Sequence, residues 1–195
     1  MYTIFHTDAI VLGGQDRGEA SRTLALFTRE HGLIHAHTQG LRELKSKLRY
    51  ALQDFSCAHV NLVHGKNGWK VTSAIHKRSF LPGGEEKARL GAIVRVSKLL
   101  RRLLPGEEKN ETLYDEILET FSVIKNTPLS AEYVFNIEVI LVMRILALLG
   151  YWGDDARFAP FLEKGTTREE LLQQMMNIKP FAIREINKAL KETQL

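Results

Sequence analysis

Arg42, Lys45, Lys47 and Arg49 fall within eight residues that hold one acid, Glu43. Cations at this density neutralise phosphates, and each phosphate contact releases a counterion, so the segment suits a polyanion. Upstream, Arg22 and Arg29 bracket an apolar run. Downstream, Lys66 and Lys70 surround a glycine-rich turn. These eight side chains are the candidate DNA-binding residues. Tyr50, Trp69 and the histidines are the candidate flat groups on which bases could stack. The net charge is +4, and it is unevenly spread. Residues 1–80 hold 11 Lys/Arg against 6 Asp/Glu and all seven histidines, while 81–195 hold 16 against 17. The basic excess belongs to the front of the chain, as expected where that part meets a nucleic acid.

Other chemistry finds less support. No glycine fingerprint for a nucleotide is present, so any role in DNA transactions proceeds without ATP hydrolysis by this chain. Cys57 and His59 are two apart on one strand, but no orienting acid or oxyanion site accompanies them, so no catalytic residue is assigned. His35, His37 and His59 are the only metal ligands to consider, and no cysteine or acid supports them; metal sites and cofactors are therefore assigned as none. Asp8, Asp16 and Glu19 are scattered. The single cysteine excludes an internal disulfide and suits a reducing cytoplasm. The N-terminus lacks the basic start of a signal peptide, and the run from Val139 to Gly150 is broken by Arg144 and too short to span a bilayer. A cytoplasmic protein with no membrane contact is expected.

The elements that must position the cations read in two parts. Strands are expected over residues 2–12, 21–29, 33–38, 55–63 and 69–77, with turns at Gly13–Gly18, Glu30–Gly32 and His64–Gly68. Leu44, Leu48, Ala51 and Leu52 recur at helical spacing and would turn one face of a short helix to the strands. Five short strands with one helical interruption suit an OB-fold β-barrel, the first domain over 1–80. Leu81-Pro82-Gly83-Gly84 marks a boundary, and 81–195 reads as an α-helical bundle. Helices are expected from Glu85 to Leu104, from an Asn110 cap to Lys125, and from a Ser130 cap to Gly150. A capping box at Thr167-Arg168-Glu169-Glu170 opens another to Met176, and Pro180 starts the last, to about Glu192. The Ser130 helix is apolar almost all round and belongs at the bundle centre.

Gly18-Glu19-Ala20-Ser21, Leu26-Phe27-Thr28, His31-Gly32, Gly40, Ser46-Lys47-Leu48 and Leu52-Gln53-Asp54-Phe55 occur in order. Together they resemble the N-terminal motif string of the bacterial recombination mediator RecO family. Ala147-Leu148-Leu149-Gly150-Tyr151 is similar to a segment of that family's C-terminal half. Asp54 stands where the family usually has proline, and Gln39 where it often has lysine. The resemblance implies an N-terminal OB-fold, binding of single- and double-stranded DNA, annealing of complementary strands, and help in loading recombinase onto DNA coated with single-strand-binding protein. It implies the RecR protein and the tail of single-strand-binding protein as partners. A groove beside the central helix, with Arg144 or Arg101-Arg102 holding carboxylates, is the expected seat of that tail. The alternatives are a metal-dependent nuclease or phosphodiesterase, and an adaptor that binds acidic protein.

Many relatives carry four zinc-binding cysteines after the Leu-Gly-Tyr segment, whereas Trp152 to Arg157 here contain none. The purified, untagged chain is accordingly expected to hold no stoichiometric zinc by elemental analysis. One zinc per chain would overturn this and make His35, His37 and His59 the first ligands to replace.

Overall fold

The alternation expected over 55–63 becomes a strand in which Ala58, Val60 and Leu62 are fully buried and His59 and Asn61 only partly, while Cys57, expected beside those two, is buried as well. A computed structural model describes residues 3–83, 86–163 and 169–193. Its strands are β1 (Ile4–Arg17), β2 (Ser21–Thr28), β3 (Gly32–Thr38), β4 (Ser56–Gly65) and β5 (Gly68–Ser79). They close into a barrel in the order β1-β2-β3-β5-β4. All neighbours pair antiparallel except β3 and β5, which run parallel. A short helix, α1 (Lys47–Ala51), lies between β3 and β4. This is an OB-fold, and helices follow it.

β1 does not end at Leu12 as the Gly13–Gly18 cluster suggested. It continues to Arg17 through a register shift between Val11 and Gly14, where Gly13 takes φ +121°. Two glycines let the strand bulge and keep pairing with β2 instead of turning. Its run Ala9 to Leu12 is unbroken by polar residues because both faces are covered. Ala9 and Val11 join the barrel core, and Ile10 and Leu12 are buried on the other side. Phe27 is likewise buried on that side, with the Tyr114 ring 5.6 Å away.

The chain packs into two compact units. One is Met1–Leu81 with Ser97–Tyr114, the other Pro82–Val96 with Asp115–Leu195. The helices are α2 (Lys87–Leu103), α3 (Glu111–Asn126), α4 (Ala131–Leu148), α5 (Ala159–Leu162) and α6 (Glu169–Glu192), with a 3-10 turn at Ala156–Phe158. Asn110 accepts from the Leu113 amide and Ser130 from the Tyr133 amide, as their N-cap positions demand. Gly150 closes α4 in the left-handed region at φ +78°. Gly84, Glu85 and the capping residues Thr167 and Arg168 lie outside the described residues. The two expected C-terminal helices are one, with Pro180 inside α6. Pro180 and Met176, four residues before it, are both exposed. The carbonyl that loses its N–H partner there can be hydrated, which lowers the cost of the proline.

α4 is buried over most of its length, and its polar residues are paired. Asn136 Nδ2 donates to the Leu172 carbonyl, and Glu138 takes both nitrogens of an Arg95 fork at 2.6 Å. Arg144 donates from Nη1 to Glu116 at 2.7 Å and from Nε to the Phe161 carbonyl at 2.8 Å. This corrects the expectation that Arg144 greets an incoming peptide, since it is 5% exposed and engaged inside the helical unit. Breaking a buried pair leaves the other charge without compensation. Arg144→Met is expected to cost about 3–5 kcal/mol in urea unfolding, and adding Glu116→Leu to recover much of it. Equal stability of Arg144→Met and the parent would show the pair to be dispensable.

Candidate nucleic-acid interface

The connection from β3 to β4 carries the basic segment, and α1 anchors it. Leu52 and Ala51 belong to the barrel core and Leu48 packs against it. Leu44, expected on the same face, is 90% exposed. The helix begins only at Lys47, so the periodicity does not reach back to Leu44. With Leu48, Ala51 and Leu52 turned inward, Lys47, Arg49 and Tyr50 are exposed, as is Lys45 before the helix. The side chains of Lys45, Lys47 and Arg49 have no hydrogen-bond or ion-pair partner among the described residues, although the Arg49 amide donates to the Ser46 carbonyl.

Arg42 is also exposed but has structural work. Its amide donates to the Ala20 carbonyl and its Nη1 to the Gly18 carbonyl, and the guanidinium lies 3.5 Å from Asp16. It ties the segment to the β1–β2 turn. Arg22 is more deeply committed. It grips Asp54 with two nitrogens at 2.9 Å, and Asp16 lies 3.5 Å from its Nε. Nothing in the sequence signals the Arg22–Asp54 pair, since the two are far apart and share no periodicity. Lys70 stands in the parallel pairing of β3 and β5, opposite His37, and donates to Gln39 at 3.3 Å.

Two depressions flank the segment. One, of about 790 Å³, is lined by Arg22, Arg42 and Arg49 over apolar Leu41, Leu52 and Phe55. The other, of about 540 Å³, brings Lys45 and Lys70 together beside Ser46 and Thr72. Lys47, on α1, lines neither of them. Arg29 and Lys66 are not part of either lining. Arg29 lies seven residues beyond Arg22, roughly 20 Å along an extended strand. Its guanidinium sits 4.8 Å from the Tyr114 ring centre. Lys66 is exposed in the tight turn between β4 and β5. The cations Arg89 and Arg95 are engaged within the helical unit, by the Lys125 carbonyl and by Glu138.

The flat groups separate sharply by burial. Trp69 is 7% exposed, and its Nε1 donates to Glu107 at 2.8 Å, which removes it from the stacking candidates. Tyr50 is 66% exposed. His6 bonds Asn61, and His59 bonds Asp8, which also accepts from Lys77 at 2.6 Å. Burial pushes the Asp8 carboxyl up, but hydrogen bonds from Lys77 and His59 outweigh it and hold the group below its ordinary value. The stability this contributes is present at neutral pH and lost as pH falls through the lowered pKa. His59 stands on β4 and His35 and His37 on β3, which are not neighbours in the barrel. No group of three or more His, Cys, Asp or Glu able to hold a metal gathers among the described residues. Cys57 faces Tyr114 at 3.6 Å, and burial pushes its thiol up, the reverse of an activated nucleophile. No described helix is long and apolar enough to cross a membrane.

The Arg22–Asp54 clamp has a measurable signature. A double-mutant cycle on Arg22→Ala and Asp54→Ala is expected to give a coupling of about 1 kcal/mol in denaturant unfolding, as the pair is partly buried and bidentate. Strict additivity would show that the two do not act together.

Comparison with known proteins agrees with this architecture. Residues 1–80 match the family model for the recombination protein O N terminal region, and residues 85–152 match that for its C terminal region. The DNA repair protein RecO of Pelotomaculum thermopropionicum is 30% identical over 148 residues, which cover 76% of this chain and 56% of that protein. The RecO protein of Heliobacterium modesticaldum is 28% identical over 148 residues, 76% of this chain and 52% of its own. That of Desulfitobacterium hafniense is 38% identical over 77 residues, 40% of this chain and 28% of its own. The chain thus spans about half the length of the curated relatives it matches. With a barrel and a helical region each matched in order, the chain belongs to the recombination protein O family.

Proposed function

We propose that this chain is a non-enzymatic DNA-binding recombination mediator acting in recombinational repair. It binds single- and double-stranded DNA through the β3–β4 connection, anneals complementary strands, and assists recombinase loading on DNA coated by single-strand-binding protein. The observation that carries the reading is the set of exposed cations, Lys45, Lys47 and Arg49, without partners among the described residues. Lys47 and Arg49 stand on α1, which the barrel core holds, and Lys45 lies just before it. Cations already paired bring little to a phosphate, whereas free ones exchange bound anions for the backbone. Lys66, exposed in its turn, and Lys70, Arg42, Arg29 and Arg22, each engaged by a neighbour, remain proposed contacts. The names of the relatives, DNA repair protein RecO, support a role in repair. The RecR protein and the tail of single-strand-binding protein are the proposed partners, on the family resemblance.

The test separates charge from fold. Reversing Lys45, Lys47 and Arg49 to Glu removes no side-chain hydrogen bond among the described residues, so the variant is expected to fold. Its affinity for oligonucleotides should drop irrespective of sequence. The slope of log affinity against log salt should shrink by about 0.7 per lost phosphate contact on single strands and about 0.9 on duplex. Annealing without ATP should fall in parallel. Unchanged affinity and slope in the folded variant would refute this placement. An adaptor for acidic protein would bind no oligonucleotide at all.

A further inference from the structure

α1 is held in one rotational setting by Leu48, Ala51 and Leu52 in the barrel core. That setting leaves Tyr50 66% exposed, with much of a large ring in water. Lys47 lies three residues before it, so the two share a helix face with Cβ atoms about 5–6 Å apart. Arg49 is adjacent. On the inner side the Tyr50 ring meets His76 of β5, with centroids 5.0 Å apart and planes at 51°. His76 Nδ1 is buried and has no hydrogen-bond partner among the described residues.

We propose that Tyr50 makes the basic segment selective for single-stranded nucleic acid, by stacking on one unpaired base whose flanking phosphates meet Lys47 and Arg49. This rests on the DNA-binding reading above and names its preferred substrate class. A single strand offers free base faces to an exposed ring. A duplex hides them in its own stack and leaves only phosphates for the cations. The cations set affinity for both forms, and Tyr50 sets the difference between them. Every base has a flat face, so the selectivity is for strand state and not for sequence.

The experiment uses the full chain, a mixed-sequence single strand and a blunt duplex of equal length, each titrated by anisotropy at several salt concentrations. Tyr50→Ala is expected to lose roughly 5- to 150-fold on the single strand, the span of one base stacked on an aromatic ring. Its duplex affinity and both salt slopes should stay unchanged, because no cation is removed. Tyr50→Phe should retain the single-strand affinity, since the ring and not the hydroxyl does the stacking. Equal loss on both substrates, or no loss on the single strand, overturns the proposal while leaving DNA binding by the cations intact. A parent chain that binds neither substrate overturns both readings together.

Discussion

The barrel closes through a very short parallel seam. β3 and β5 register at two residue pairs only, Ala36 with Trp69 and His37 with Lys70. Each antiparallel neighbour pair is longer, up to the ten pairs of β4 with β5. Because β3 cannot hairpin into a parallel neighbour, the chain must cross between the end of β3 and the start of β4. Residues 39–55 make that crossing. They must also plug the barrel, which Leu41, Leu48, Ala51 and Leu52 do. Once those four point inward, Lys45, Lys47 and Arg49 between them are left exposed, while Arg42 reaches back to the β1–β2 turn. The basic surface is thus a consequence of how the barrel is closed.

The same region shows why a count of cations overstates an interface. Arg22 and Arg42 hold the connection to the first two strands through Asp16, Asp54 and two backbone carbonyls. A guanidinium gripping a carboxylate in a bidentate fork is largely neutralised before any phosphate arrives. Lys45, Lys47 and Arg49 are not so engaged among the described residues. Asp54 is informative here, since it occupies a position where the family usually has proline. In this chain that position supplies the partner that fixes Arg22.

The helical unit follows a different logic. Its centre is α4, and burying Asn136, Glu138 and Arg144 there requires a partner for every polar group. Leu172, Arg95, Glu116 and Phe161 supply them. Such pairs add little net stability over apolar packing, because desolvating both charges offsets their attraction. They also consume the cation that, by sequence, looked available to a peptide.

Much of this was legible along the chain. Strand alternation at 58–63, the Gly32 and Gly65–Gly68 turns, and the Asn110 and Ser130 caps are local signals with local causes, so they survive folding unchanged. The concentration of charge in residues 1–80 is also a property of sequence alone. Gly13-Gly14 misled, because two glycines serve a bulge as well as a turn, and only the pairing of β1 with β2 decides which. Leu44 misled because the helical pattern extends past the point where helix geometry begins. Trp69 and Tyr50 are both aromatic residues near the basic segment, yet one is core and the other exposed. That difference is tertiary: Glu107, in the connection between α2 and α3, meets the indole, whereas the phenol touches His76 and stays 66% exposed. The sequence determined which residues carry charge and which faces are apolar. Tertiary structure alone decided which charges are spent on one another, because ion pairs such as Arg22–Asp54 join residues that no periodicity connects.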